Sequence, residues 1–189
     1  MRHDPPFLSA VAADARRFLD TWGKVTPMKV ARLALLTPGF QFALSIRLQS
    51  ALRAAWPFGR PLARVLWYVS TAWFGSDVDP GASFGPGLYA PHPHGIVVGG
   101  ECRVGAGATI LQNVTMGRKV PDAPSSPVIG DNVSIFAGAV VAGGVRVGDG
   151  AVVGANAVVL ADVPPGHTAL GVPARICVIK ETVTGKDRG

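Results

Sequence analysis

Three features of the sequence predict an all-β solenoid preceded by an α-helical region. Glycine is concentrated in the back of the chain, an aliphatic residue recurs there every six positions, and aromatic and basic residues are concentrated in the front. Of 189 residues, Gly 24 and Pro 16 make up about a fifth, yet 48% are hydrophobic and only 16% are charged. A chain of this length and apolarity buries a core and does not fit disorder. No glycine recurs every third position, which excludes a collagen-like helix. Two cysteines, Cys102 and Cys177, are too few for a disulfide scaffold.

Residues 1–76 hold 10 Lys/Arg against 3 Asp/Glu and residues 77–189 hold 8 against 9, so the net +6 is +7 in front and −1 behind. Eleven of the 14 aromatics, Trp22, Trp56, Trp67 and Trp73 among them, lie in front, and 20 of the 24 glycines lie behind. Proline and glycine punctuation predicts helices from about Pro5 to Trp22, Phe40 to Ala55 and Pro61 to Phe74. In the second, Phe40, Leu44, Ile46, Leu48 and Leu52 against Arg47 and Arg53 make an amphipathic pattern, suited either to oligomer or domain packing or to a membrane surface. Without a dense Lys/Arg run, nucleic acid is not an expected partner. The start lacks a secretory pattern, and Pro38, Arg47 and Arg64 interrupt the most apolar windows. The expected location is cytoplasmic, at most peripheral at the inner face of a membrane.

Ile129, Ile135, Val141, Val147, Val153 and Val159 define the six-residue period. A second series, Val133, Ala139, Val145, Ala151, Ala157 and Val163, carries small apolar residues four positions later. The first phase continues backwards through Met116, Ile110, Val104 and Val98, then through Ala90, Phe84 and Val78, giving 13 hexads in all. This period is neither helical nor a two-residue alternation; it marks short strands joined by tight turns, with Gly, Asn and Asp at the corners. The expected organisation is a helical region over 1–76, a solenoid catalytic domain over 77–165 and a tail over 166–189.

The repeat breaks twice. From Ala90 to Val98 the step is eight, placing two extra residues in Pro91-His92-Pro93-His94-Gly95; from Met116 to Ile129 it is 13, placing seven extra over Arg118 to Pro127. A solenoid packs without either, so these loops are candidate sites. His92 is the candidate general base, and Asp77, 15 residues earlier and close to one coil below, is the candidate carboxylate that orients it.

Asp77-Val78-Asp79-Pro80, His92 with Gly95-Ile96-Val97-Val98-Gly99, Gln112-Asn113-Val114-Thr115-Met116-Gly117 and Gly171-Val172-Pro173-Ala174-Arg175 resemble the serine acetyltransferase branch of the hexapeptide acyltransferases, over about residues 70–178. The resemblance implies a left-handed parallel β-helix with about 18 residues per coil. It also implies that acetyl-CoA and an acceptor alcohol meet between subunits of a trimer, with His92 as base and Asp77 as its partner. Backbone near Gly117 would face the developing oxyanion. Ala137, Gly138, Gly154 and Ala155 would line the acetyl-CoA groove, and Arg175 and Lys180 would meet its phosphates. His94 and Arg118 are candidate acceptor contacts. Whether the helices pair two trimers is left open.

The sequence departs from that branch where the amino acid would be gripped: Pro91 stands where the family has an Asp, and Ser125-Ser126-Pro127 ends the loop that brings an Arg-His pair in the family. Pro91-His92-Pro93-His94-Gly95-Ile96-Val97 is more similar to the colanic-acid and exopolysaccharide acetyltransferases. The expected acceptor is therefore a sugar or polysaccharide hydroxyl, with serine as the alternative and a non-catalytic scaffold behind both. His92, His94 and His167 do not form a convincing zinc set, so no metal is expected.

Overall fold

A computed structural model describes residues 6–19, 24–55, 58–120 and 125–178. Four helices come first: α1 (Phe7–Leu19), α2 (Pro27–Leu36), α3 (Pro38–Ala54) and α4 (Gly59–Phe74). The sequence reading placed three of these and missed α2. Its start is written in the chain all the same: the Thr26 hydroxyl accepts from Lys29 N, and Pro27 occupies the first helical turn, where a missing N–H costs nothing. Pro38 opens α3 in the same way, so two helices meet at Thr37. Gly75, at φ 61°, closes α4 in the left-handed conformation.

Fourteen short strands follow. They are β1 (Asp77–Val78), β2 (Ser83–Phe84), β3 (Val97–Val98), β4 (Arg103–Val104) and β5 (Thr109–Ile110). Next come β6 (Thr115–Gly117), β7 (Val128–Ile129), β8 (Ser134–Ile135), β9 (Val140–Ala142) and β10 (Arg146–Val147). The last four are β11 (Val152–Val153), β12 (Val158–Val159), β13 (Thr168–Leu170) and β14 (Arg175–Cys177). They stack into three parallel sheets, β1-β3-β6-β9-β12, β2-β4-β7-β10 and β5-β8-β11-β13, the faces of a left-handed β-helix; β14 closes the third face antiparallel to β13. The last coil therefore runs past residue 165, to Ala169 opposite Val153.

All 13 hexad residues are buried. On the first face Val78, Val98, Met116, Val141 and Val159 form one inward column, in register from strand to strand. The same registers locate the insertions. Val78 pairs with Val98, a 20-residue coil that contains the two-residue bulge; Val98 pairs with Met116, a plain 18; Met116 pairs with Val141, a 25-residue coil that contains the long loop. The strands on either side of each insertion keep register, because a one-residue slip would turn the aliphatic column out to solvent.

The helices are fastened to the first coil by a buried ion pair that carried no periodic signal. Asp14, 1% exposed, accepts from Arg47 Nε at 2.8 Å and from the backbone N–H groups of Gly87 and Leu88 at 2.8 Å each. Arg47 donates in turn to Phe84 O at 2.6 Å and Gly85 O at 2.7 Å. Phe40, Phe42 and Ile46 are buried, in keeping with domain packing by α3, whereas Arg47, expected on its polar face, is buried as well and Leu48, expected on its apolar face, is exposed.

Candidate active site

The bulge sits at the corner where the chain passes from the third face to the first, and its backbone is tied down throughout. His94 N donates to His92 O at 2.9 Å, Gly95 N to Gly75 O at 3.1 Å, and Asn113 N to His94 O at 2.9 Å. The buried Ser76 hydroxyl donates to Pro93 O at 2.9 Å and accepts from Ile96 N at 3.0 Å. Gly95 has φ 68°, and a Cβ there would run into the Asn113 side-chain oxygen of the next coil, so the corner requires glycine.

The two histidines divide their roles. The His94 ring meets Phe74 O at 3.1 Å through Nδ1; a carbonyl can only accept, so Nδ1 carries the proton. His94 thus anchors the bulge to the last turn of α4, which replaces the expected acceptor contact with a structural one. The His92 side chain is exposed, and its ring makes none of the bonds that fix the bulge. A rigid loop presenting a solvent-facing imidazole is what proton abstraction from an incoming hydroxyl needs.

Asp77 lies one coil below, opposite Val97, with its N–H on Ile96 O at 2.8 Å. The expected carboxylate–imidazole hydrogen bond is not formed: Asp77 Oδ1 accepts from the Trp67 indole N–H at 2.9 Å. The Arg64 guanidinium lies 4.1 Å above the Trp67 ring. A side chain about two turns back from the end of α4 takes one oxygen of the carboxylate, and no repeat or insertion marks it. Ser76 and Trp67 are the residues the sequence reading missed; neither sits in a repeat or an insertion, and only adjacency to Asp77 hinted at Ser76.

Ala137, Gly138 and Ala155 share the His92 corner. The bonds from Asn113 N to His94 O, Gly138 N to Gln112 O and Asn156 N to Ala137 O stack Gly95, Asn113, Gly138 and Asn156 in one column. At about 4.8 Å per coil, the small residues begin roughly 10 Å along the edge from the bulge, leaving a narrow shelf. Two of the glycines there have reasons of their own: a Cβ on Gly138 would meet Asn156 Oδ1, and one on Gly154 would meet the Leu170 side chain. Arg175 is exposed in β14 opposite Leu170; Lys180 lies outside the described residues.

The second insertion starts at the opposite edge of the first face. Gly117 is paired with Ala142 in the β6–β9 ladder, and a Cβ there would meet nothing within 4 Å. Arg118, expected as a cation for the acceptor, forms an ion pair with Glu101 at 2.7 Å. A groove of about 920 Å³ runs along the second face past Ser83, Arg103, Val128 and Arg146, away from the His92 corner. Its lining carries Asp131 and Asp149 but no histidine. Burial pushes the Cys102 thiol up to about 11, which makes it a core residue and not a nucleophile. Among the described residues no three His, Cys, Asp or Glu side chains cluster as a metal site, and no helix is long and apolar enough to cross a membrane.

The stacked hexads define a hexapeptide-repeat β-helix, and the family described as bacterial transferase hexapeptide (six repeats) matches residues 126–161. A serine acetyltransferase of Staphylococcus xylosus is 40% identical over 116 residues, covering 61% of this chain and 54% of that protein. Among solved structures, soybean serine acetyltransferase superposes with a TM-score of 0.80 at 37% identity, covering 92% of this chain and 70% of that one. A Neisseria gonorrhoeae serine acetyltransferase in complex with serine gives 0.79 at 30%, covering 90% and 69%. The chain belongs to the hexapeptide-repeat serine acetyltransferase family. It spans about half the length of the curated relatives it matches. These relatives support the serine acetyltransferase part of the resemblance; the finer likeness to exopolysaccharide acetyltransferases rests on residues 91–97 alone.

Proposed function

We propose that this chain is an acetyl-CoA-dependent O-acetyltransferase in which His92 is the general base. The observation that carries the proposal is an exposed imidazole, its ring free of the hydrogen bonds that fix the bulge, on the solenoid edge it shares with Ala137, Gly138 and Ala155. His92 takes the acceptor's hydroxyl proton as the oxygen attacks the thioester carbonyl. The tetrahedral intermediate expels the CoA thiolate, and the imidazolium returns the proton to sulfur, so the products are an acetyl ester and free CoA. Asp77 stabilises the imidazolium through the oxygen that Trp67 leaves free. Backbone near Gly117 is the proposed oxyanion contact, and Arg175 and Lys180 the proposed phosphate contacts. Three chains side by side would complete the cleft.

Serine is the acceptor that family membership supports. One specific observation favours a second reading, a sugar hydroxyl. Pro91 precedes the base where an acid would hold an ammonium group, and Arg118, the candidate cation for a carboxylate, is paired with Glu101. An acceptor screen with acetyl-CoA, read as thiol release, decides between them: fast turnover on serine removes the sugar reading, and turnover on sugars without serine removes the other. His92→Ala is expected to lower turnover at least about a hundredfold while calorimetry still detects CoA binding. An active His92→Ala with a dead His94→Ala would reverse the assignment.

A further inference from the structure

We propose that α4 docks this protein on an anionic lipid surface. Phe58 at the N-cap and Leu62, Val65, Val69 and Trp73 along the helix recur at spacings of three and four and are 76%, 53%, 62%, 54% and 75% exposed, an apolar stripe that the described residues leave largely uncovered. Tyr68, 69% exposed, borders the stripe, and exposed Arg60 and Arg64 lie on the sector beyond it. An apolar stripe with an aromatic residue at its edge and arginine on the remaining solvent-facing sector suits a helix lying in the headgroup region. At 16 residues the helix is about 24 Å long, and it fits in the plane of a bilayer surface without crossing it.

Charge identifies the occupant. Among the described residues up to Ser76 the single carboxylate is Asp14, buried against Arg47, so every exposed charge of the helical region is a cation: Arg16, Arg17, Lys24, Arg32, Arg53, Arg60 and Arg64. A second copy meeting this stripe across a two-fold axis would bring together two helical regions that each carry a net positive charge. An anionic bilayer accepts both the apolar stripe and the positive field. The stripe ends at Trp73, four residues before Asp77, so docking would hold the His92 corner close to the lipid surface. The docking itself does not depend on the acetyl-transfer reading.

Flotation of the full chain with vesicles tests the proposal. It should float with phosphatidylcholine vesicles containing about a third phosphatidylglycerol, stay down with pure phosphatidylcholine, and be released by molar salt. Val65→Asp should weaken flotation at least tenfold with an unchanged melting temperature and unchanged thiol release from acetyl-CoA. Failure to float, or equal flotation on neutral vesicles, overturns the proposal. So does an assembly in solution that Val65→Asp breaks apart while neither protein binds vesicles, which would make the stripe a contact between copies.

Discussion

In the solenoid, Val141 meets Met116 on one side and Val159 on the other, and the same relation repeats up every face; losing one rung leaves the others with their neighbours. The helical region has no such redundancy. Phe42, Ala43, Ile46 and Phe74 pack into the solenoid core, and the buried polar part of the attachment centres on one carboxylate and one guanidinium, Asp14 and Arg47, which satisfy four backbone groups of residues 84–88. Periodic packing distributes stability over many equivalent contacts, whereas a single buried polar network concentrates it at one point.

The sharpest way to break that contrast is Arg47→Ala. It strands a buried Asp14, and a loss of about 3–5 kcal/mol is expected in denaturant unfolding, with the helical signal lost before the β signal. A single cooperative transition of unchanged midpoint would show that the two regions are not fastened there. Ile135→Ala, which empties one fully buried rung, should cost about 3 kcal/mol without separating the two signals.

A smaller effect distinguishes the solenoid interior. Cys102, fully buried, has its thiol raised from 9.0 to about 11 by burial. Its neutral form contributes fully below pH 9. That contribution is lost between pH 9 and 11 as the unfolded chain ionises, an extra fall of about 2–3 kcal/mol that Cys102→Ala should lack. The mildest test is Ser76→Ala, which leaves Ile96 N and Pro93 O without the hydroxyl. About 1–2 kcal/mol should be lost locally, seen as faster amide exchange at Ile96, with turnover falling as the His92 bulge loosens.

Much of the candidate site was legible because it interrupts a repeat. Eight in place of six between Ala90 and Val98 marked the His92 bulge, and the observed 20-residue coil from Val78 to Val98 contains it. What the spacing did not carry was side-chain partnership. Asp77 is one coil below, as counted, yet its oxygen goes to Trp67; His94 is beside His92, yet its ring goes to Phe74 O. α2 was missed because Thr26-Pro27 is a short local signal without a long amphipathic run behind it.

The sequence by itself determined the solenoid, its 13 buried rungs and the position of both insertions, because a six-residue aliphatic period has one way to hide from water. Only the tertiary structure decided that the His94 ring is tied to Phe74 O while the His92 ring makes no such bond, which group holds Asp77, and which helix is core and which is surface. Those outcomes depend on hydrogen-bond partners and burial contributed by residues 10 to 74 positions away along the chain, and a local pattern contains no term for them.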